Sequence, residues 1–239
     1  MCRYESTEFG PTLLGREANR GNDMSRYSRI WATEIDHLRA TTPDHPVLYF
    51  SPETLAETAR RFREGFPGLV TYAVKANDNP GVIDTLAQAG VTSFDVASPA
   101  EIALVREVVP FATLHYNNPV RSIPEIEAAV AAGVASYSID GFGELEKLKG
   151  RVPQGVEVSV RLALPVKGAA YDFGAKFGEP PEGCVDLLRA VVAAGYVPAM
   201  TFHPGTQCED PAAWARYIET CGEISRQAGV PLARLNVGG

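Results

Sequence analysis

Val70-Thr71-Tyr72-Ala73-Val74-Lys75-Ala76-Asn77 reads as a short apolar strand, rich in β-branched and aromatic residues, that stops on a lysine. The loop-forming Asn77-Asp78-Asn79-Pro80 comes next. An ammonium at the end of a buried strand is costly unless it is paired or used. Partial desolvation favours the neutral amine of a lysine, which can form a Schiff base with an aldehyde. The competing reading is a lysine that snorkels from the strand end into water. This run alone does not choose between them.

Working outward, the chain from about residue 47 alternates β-type runs with helical segments, the signature of βα units and a parallel sheet. The candidate strands are Val47–Phe50, Leu69–Lys75, Ser93–Ala97, Thr113–Tyr116, Ser136–Ile139, Glu157–Leu162, Ala199–His203 and Arg234–Val237. Ser51-Pro52-Glu53 and Ser98-Pro99-Ala100-Glu101 set a serine cap, a proline and an acid where helices should begin. Four helices should end on a repeated phrase, at Gly90, Gly133, Gly195 and Gly229. Glycine there can take the left-handed conformation before the next strand.

The strand ends carry the chemistry. Lys75, Asp95, Asn117/Asn118, Asp140, Arg161 and His203 each close an apolar run, and Gly238-Gly239 closes the last. In a (β/α)₈ barrel all strand C-termini open on one face, where active sites are built. Residues far apart in sequence would then converge on one mouth. Taken singly, Asp95 or Asp140 serves equally well as a cap for the next helix, and His203 as a satisfied core histidine.

The net charge of −7 supplies no basic stripe for nucleic acid, so none is expected as a partner. No apolar run approaches the roughly 20 residues of a membrane span, and the N-terminus lacks a secretory core. A cytoplasmic location is the expectation. Cys2, Cys184, Cys208 and Cys221 have neither metal-site nor disulfide spacing, so no metal is expected. Residues 1–30, polar and without periodicity, are expected to form a loosely ordered tail, with residues 31–239 forming the barrel domain.

At this point the chain resembles the fold-type III pyridoxal-phosphate decarboxylases of basic amino acids, a group that includes ornithine, diaminopimelate and arginine decarboxylases. The matching motifs are Tyr72–Asn77, Phe94–Glu101, Tyr116–Pro119, Val160-Arg161, Lys176-Phe177-Gly178, Phe202–Gln207 and Asn236–Gly239, in family order. The resemblance implies an α/β fold, a TIM-type (β/α)₈ barrel like that of alanine racemase, and pyridoxal 5′-phosphate as cofactor. It implies Lys75 as the Schiff-base lysine, with Asp95 beside it. His203 would stack on the cofactor ring. Arg161 would be a fixed cation at the mouth, for which a structural ion pair is the other reading. Gly205, Thr206, Gly238 and Gly239 would bind the phosphate. The family also implies a small amino-acid substrate and a homodimer, with Lys176-Phe177-Gly178 near the partner subunit.

Two departures stand out. Thr206 replaces the usual serine and Pro204 a small apolar residue. The sequence also ends at Gly239, inside what is usually a three-glycine loop. On that reading the barrel lacks its last strand and the C-terminal β domain, and exposed strand edges would make the chain poorly soluble alone. The expected function is decarboxylation of a basic amino acid, ornithine before lysine, arginine or diaminopimelate, and so short a chain is expected to bind cofactor weakly or to be inactive by itself. The alternatives are a single-domain pyridoxal-phosphate homeostasis protein and a non-catalytic regulatory homologue.

Overall fold

A computed structural model describes residues 4–7, 30–164, 177–205 and 208–238. The chain divides into two compact units, Met1–Val70 with Gly81–Val91, and Thr71–Pro80 with Thr92–Gly239.

The first unit holds a three-stranded antiparallel sheet in the order β2-β1-β3, formed by β1 (Tyr4–Thr7), β2 (Ile30–Trp31) and β3 (Leu48–Phe50). Helices α1 (Glu34–Thr41), α2 (Pro52–Gly65) and α3 (Pro80–Gln88) complete its elements. His37 is its buried polar anchor: Nδ1 lies 2.8 Å from the Tyr49 hydroxyl, and the ring packs 5.1 Å from Trp31. Sequence reading assigns Val47–Phe50 to the barrel, and the structure corrects it, because β3 pairs with β1. The run is too short, and Leu48 at 62% exposure too open, for a strand buried on both faces.

The second unit is built on seven parallel strands. They are β4 (Tyr72–Ala73), β5 (Ser93–Val96), β6 (Thr113–Tyr116), β7 (Ser136–Ile139), β8 (Glu157–Arg161), β9 (Val197–Thr201) and β10 (Arg234–Asn236). Between the later strands run α4 (Pro99–Val108), α5 (Ile123–Ala131), α6 (Phe142–Leu148), α7 (Pro181–Ala193) and α8 (Pro211–Ala228). The strands pair in unbroken sequence order from β4 to β10. A doubly wound sheet would reverse order at a switch point; sequential order of right-handed crossovers is the winding of a barrel.

The boundaries follow local chemistry. Ser51 Oγ accepts from the Thr54 N–H, and Ser98 Oγ from the Glu101 N–H at 3.2 Å. Glu101 Oε2 accepts the Ala97 N–H at 2.8 Å, tying the first turn of α4 back to the end of β5. Gly90, Gly133, Gly195 and Gly229 all have positive φ, as the repeated helix-ending phrase requires. Ser98→Ala is expected to cost about 1 kcal/mol in denaturant unfolding, the usual worth of such a cap.

The sheet has two faces of different chemistry. Phe94, Leu114, Tyr137, Ile139, Val158, Val160 and Met200 alternate onto one face and are almost inaccessible. Each such side chain contributes roughly 1.5–3 kcal/mol of burial. Ser93, His115, Ser136, Ser138 and Ser159 alternate onto the other face, equally buried but polar. That polar face curls on itself. Arg234 on β10 lies four strands from His115 on β6, roughly 19 Å away across a flat sheet. Yet Arg234 Nη2 is 3.1 Å from His115 Nδ1. Only a strongly curved sheet brings those two side chains together.

Candidate active site

Lys75 stands in a 3-10 turn, Val74–Ala76, immediately beyond β4. The strand ends at Ala73, two residues earlier than the apolar run suggests. The Tyr72 hydroxyl donates to the Asn77 carbonyl at 3.1 Å, and the Asn79 N–H to Asn77 Oδ1 at 3.0 Å. These bonds bend the chain early. Lys75 is therefore exposed, and the desolvation expected of a buried strand end is not supplied by the protein around it.

The neighbouring carboxylate is placed by register. Ala73 on β4 pairs with Asp95 on β5, and Asp95 with His115 on β6. Burial raises the pKa of Asp95, against the pull of the Asn117 and Thr71 side chains and of the charges on Arg234 and Lys75. Its Oδ1 is buried without a hydrogen-bond partner, and so is Asn117 Nδ2. Asn117 is held from the other side, where its Oδ1 accepts from the Ser138 hydroxyl at 2.8 Å.

Arg161 closes β8, half-buried, with its guanidinium 5.4 Å from the centre of the Phe177 ring. Burial lowers its pKa, and the charges of Asp140 and Tyr217 oppose this. Asp140, raised chiefly by burial, accepts from the Gly178 backbone. The Ala163 N–H and the Glu179 carbonyl close this loop at 2.9 Å.

Beyond β9, His203 Nδ1 accepts the Gly205 N–H at 3.0 Å, which fixes both ring plane and tautomer. Gly238 has φ +62°, and a Cβ there would fall on the Phe202 carbonyl oxygen and 3.2 Å from His203 Cα. The two backbones can approach this closely only without a side chain. Helix α8 steadies both strand ends. Tyr217 stacks on Phe202 with centroids 4.5 Å apart, and Trp214 Nε1 donates to the Val237 carbonyl at 3.1 Å.

Three groups therefore follow each other along the sheet: Lys75, Asp95 and Asn117 at β4–β6, Arg161 with Asp140 at β7–β8, and His203, Gly205 and Gly238 at β9–β10. Thr206, Gly239 and Lys176 lie outside the described residues. The set fits pyridoxal phosphate. An unpartnered buried carboxylate oxygen suits a cationic nitrogen, and a glycine cradle that no Cβ could enter suits a phosphate.

The sequence reading overlooked a charged cluster below these groups. Arg234 Nη2 lies 2.6 Å from Glu157 Oε1 and 2.8 Å from Ser136 Oγ, and Ser136 Oγ 2.8 Å from His115 Nδ1. The signal was the alternation of polar residues in Ser136-x-Ser138 and Glu157-x-Ser159-x-Arg161, unusual in parallel strands. Burial, then Arg234, depresses the His115 pKa from 6.5 to about 4. The unfolded chain thus binds this proton first, so stability is unaffected above pH 6.5 and falls as pH drops towards 4. The loss should reach about 3 kcal/mol in denaturant unfolding, and His115→Asn should flatten that pH dependence.

Among the described residues no helix is long and apolar enough to cross a membrane. The family described as pyridoxal-dependent decarboxylase, pyridoxal binding domain, matches residues 53–239. A lysine/ornithine decarboxylase of Selenomonas ruminantium is 32% identical over 217 residues, covering 88% of this chain and 54% of that protein. Antizyme inhibitor 2 of Xenopus laevis is 32% identical over 75% of this chain and 40% of its own. A crystal structure of an SrLDC double mutant in complex with PLP superposes with a TM-score of 0.68 at 31% identity, over 76% of this chain and 49% of that one. The chain thus spans about half the length of the relatives it matches.

Proposed function

Because this chain belongs to the pyridoxal-dependent decarboxylases and carries their pyridoxal-binding domain, we propose that it serves the decarboxylation of a basic amino acid, ornithine first, with lysine, arginine or diaminopimelate as the alternatives. The observation that carries this reading is the buried Asp95, on the strand next to the turn that bears Lys75, with an Oδ1 that has no hydrogen-bond partner.

Pyridoxal phosphate, when bound, supplies the electron sink for the charge left behind as the carboxylate departs as CO₂. The chain's own residues do the rest. Lys75 is the amine that holds the cofactor, and its exposure leaves it free to reach an aldehyde. Asp95 is the carboxylate on the neighbouring strand that helps to position that amine, and Lys75 Nζ is the group placed to return a proton to substrate. His203, its ring fixed by the Gly205 N–H, is a flat wall against which a planar ring can lie. The Gly205 and Gly238 backbones, at φ +116° and +62°, allow close approach of a phosphate. Arg161 holds positive charge at the mouth, and Asp140 keeps it from repelling a cationic substrate. Thr206 and Gly239 complete the proposed phosphate contacts. A homodimer and a cytoplasmic location belong to the same reading.

The similarity to an antizyme inhibitor supports a second reading, a regulatory homologue that keeps the domain without the reaction. One assay separates them. With pyridoxal phosphate present, CO₂ release is measured from ornithine, lysine, arginine and diaminopimelate. Release from one of these supports the enzyme. Cofactor uptake with no release from any of the four would overturn it in favour of the regulatory reading.

A further inference from the structure

The charged cluster beneath the proposed site reaches further than packing. We propose that Arg234 is a positioning residue: from β10 it spans the curled polar face and supplies the positive charge that keeps Asp95 the anionic partner of Lys75. This rests on the role given to Asp95 above.

The geometry carries it. Asp95, His115, Ser136 and Glu157 form one cross-strand row through β5, β6, β7 and β8. Arg234 lies over three members of that row, with Nη2 at 3.1 Å from His115 Nδ1, 2.8 Å from Ser136 Oγ and 2.6 Å from Glu157 Oε1. Its Nη1 is 3.4 Å from His115 Nε2, so the guanidinium spans the imidazole. Arg234 Nε and Asp95 Oδ1 are both buried without a hydrogen-bond partner, a donor and an acceptor left over on the same face.

The charged and titratable groups that bear on Asp95 are few. Lys75 faces it from the turn after β4, His115 from the paired position on β6, and Arg234 from β10; Glu157 on β8 reaches the cluster through Arg234. His115 is held neutral by burial first and by the same arginine second, and so adds no charge near neutral pH. Burial works against an ionised Asp95, and the charges of Arg234 and Lys75 both favour it. An arginine is suited to this because its charge survives burial where a lysine's need not. Glu157 moderates the field: it anchors the guanidinium and takes up part of its charge.

The test is direct titration of the Asp95 side-chain carboxyl by carbon-detected NMR in the full chain, assigned with Asp95→Asn. In Arg234→Met the titration midpoint should rise by about one pH unit or more, the usual effect of removing a nearby opposite charge. In Glu157→Gln it should fall, because the arginine is no longer neutralised. Arg234→Lys should fall between the native value and that of Arg234→Met, because a lysine's charge is held less firmly on burial. Opposite shifts in the first two variants separate a field from simple loss of packing, which would lower stability in both without moving the midpoint in opposite directions. Should Arg234→Met not fold, Glu157→Gln and the charge-neutral double variant provide the reading, the double lying nearer the native midpoint than Glu157→Gln. Unmoved midpoints in folded variants would overturn the proposal. The titration needs no cofactor, so its outcome stands apart from whether the chain binds pyridoxal phosphate or releases CO₂.

Discussion

Lys75→Ala is expected to lower CO₂ release from a basic amino acid by roughly a thousandfold or more, the scale of losing both a covalent anchor and a proton donor. The two roles can be separated. Lys75→Arg keeps the positive charge opposite Asp95 but offers no amine that condenses with an aldehyde at neutral pH. Arginine should therefore be nearly as poor as alanine in turnover while sparing the fold, since position 75 is exposed and lies in a turn closed by Tyr72 and Asn77. Steady-state rates at saturating cofactor, with unfolding curves beside them, provide the check. Activity within tenfold of native in Lys75→Ala would place the reacting amine elsewhere.

The second large effect is expected at Gly238. Gly238→Ala forces a methyl onto the Phe202 carbonyl oxygen at a backbone φ of +62°. Neither partner yields easily. Phe202 is stacked on Tyr217, and the Val237 carbonyl is tied to the Trp214 indole. The chain must shift at the β9 end, which carries His203 and Gly205. We expect at least about tenfold weaker binding of pyridoxal phosphate and a stability loss of about 1–3 kcal/mol, within the range for backbone strain at a special φ. Trp214, one of only two tryptophans in the chain, is placed to report binding through quenching of its fluorescence. Undiminished quenching in Gly238→Ala would show that the cradle does not hold the phosphate.

Much of this architecture is legible in the sequence because it is local. Ser51 and Ser98 cap the helices they precede, and the four glycines adopt the left-handed conformation that their repeated phrase requires. The runs Thr113–Tyr116 and Ser136–Ile139 become strands with those bounds. What depends on distant partners is not legible. Leu48–Phe50 has strand composition, but nothing local says that it pairs with Tyr4–Thr7 instead of a parallel neighbour. The end of β4 depends on hydrogen bonds closing at Asn77, which bring Lys75 out of the strand and into solvent.

The site divides in the same way. Polar residues at strand ends are visible from pattern alone, since each follows an apolar run. The Arg234 cluster is not, because its members meet only once four strand spacings have curled together. Arg234 even reads as the ordinary polar start of a strand. The polar alternation in β7 and β8 was the available clue, pointing to a sheet with one dry and one polar buried face.

The most direct test of the account is chemical. The protein is incubated with pyridoxal phosphate, treated with borohydride and digested, and the modified lysine is located by mass spectrometry. The account predicts a phosphopyridoxyl group on Lys75 at about one per chain, with the other lysines modified only at background. Labelling spread over the other lysines, such as Lys147 and Lys149, with Lys75 no higher than they are, would contradict it.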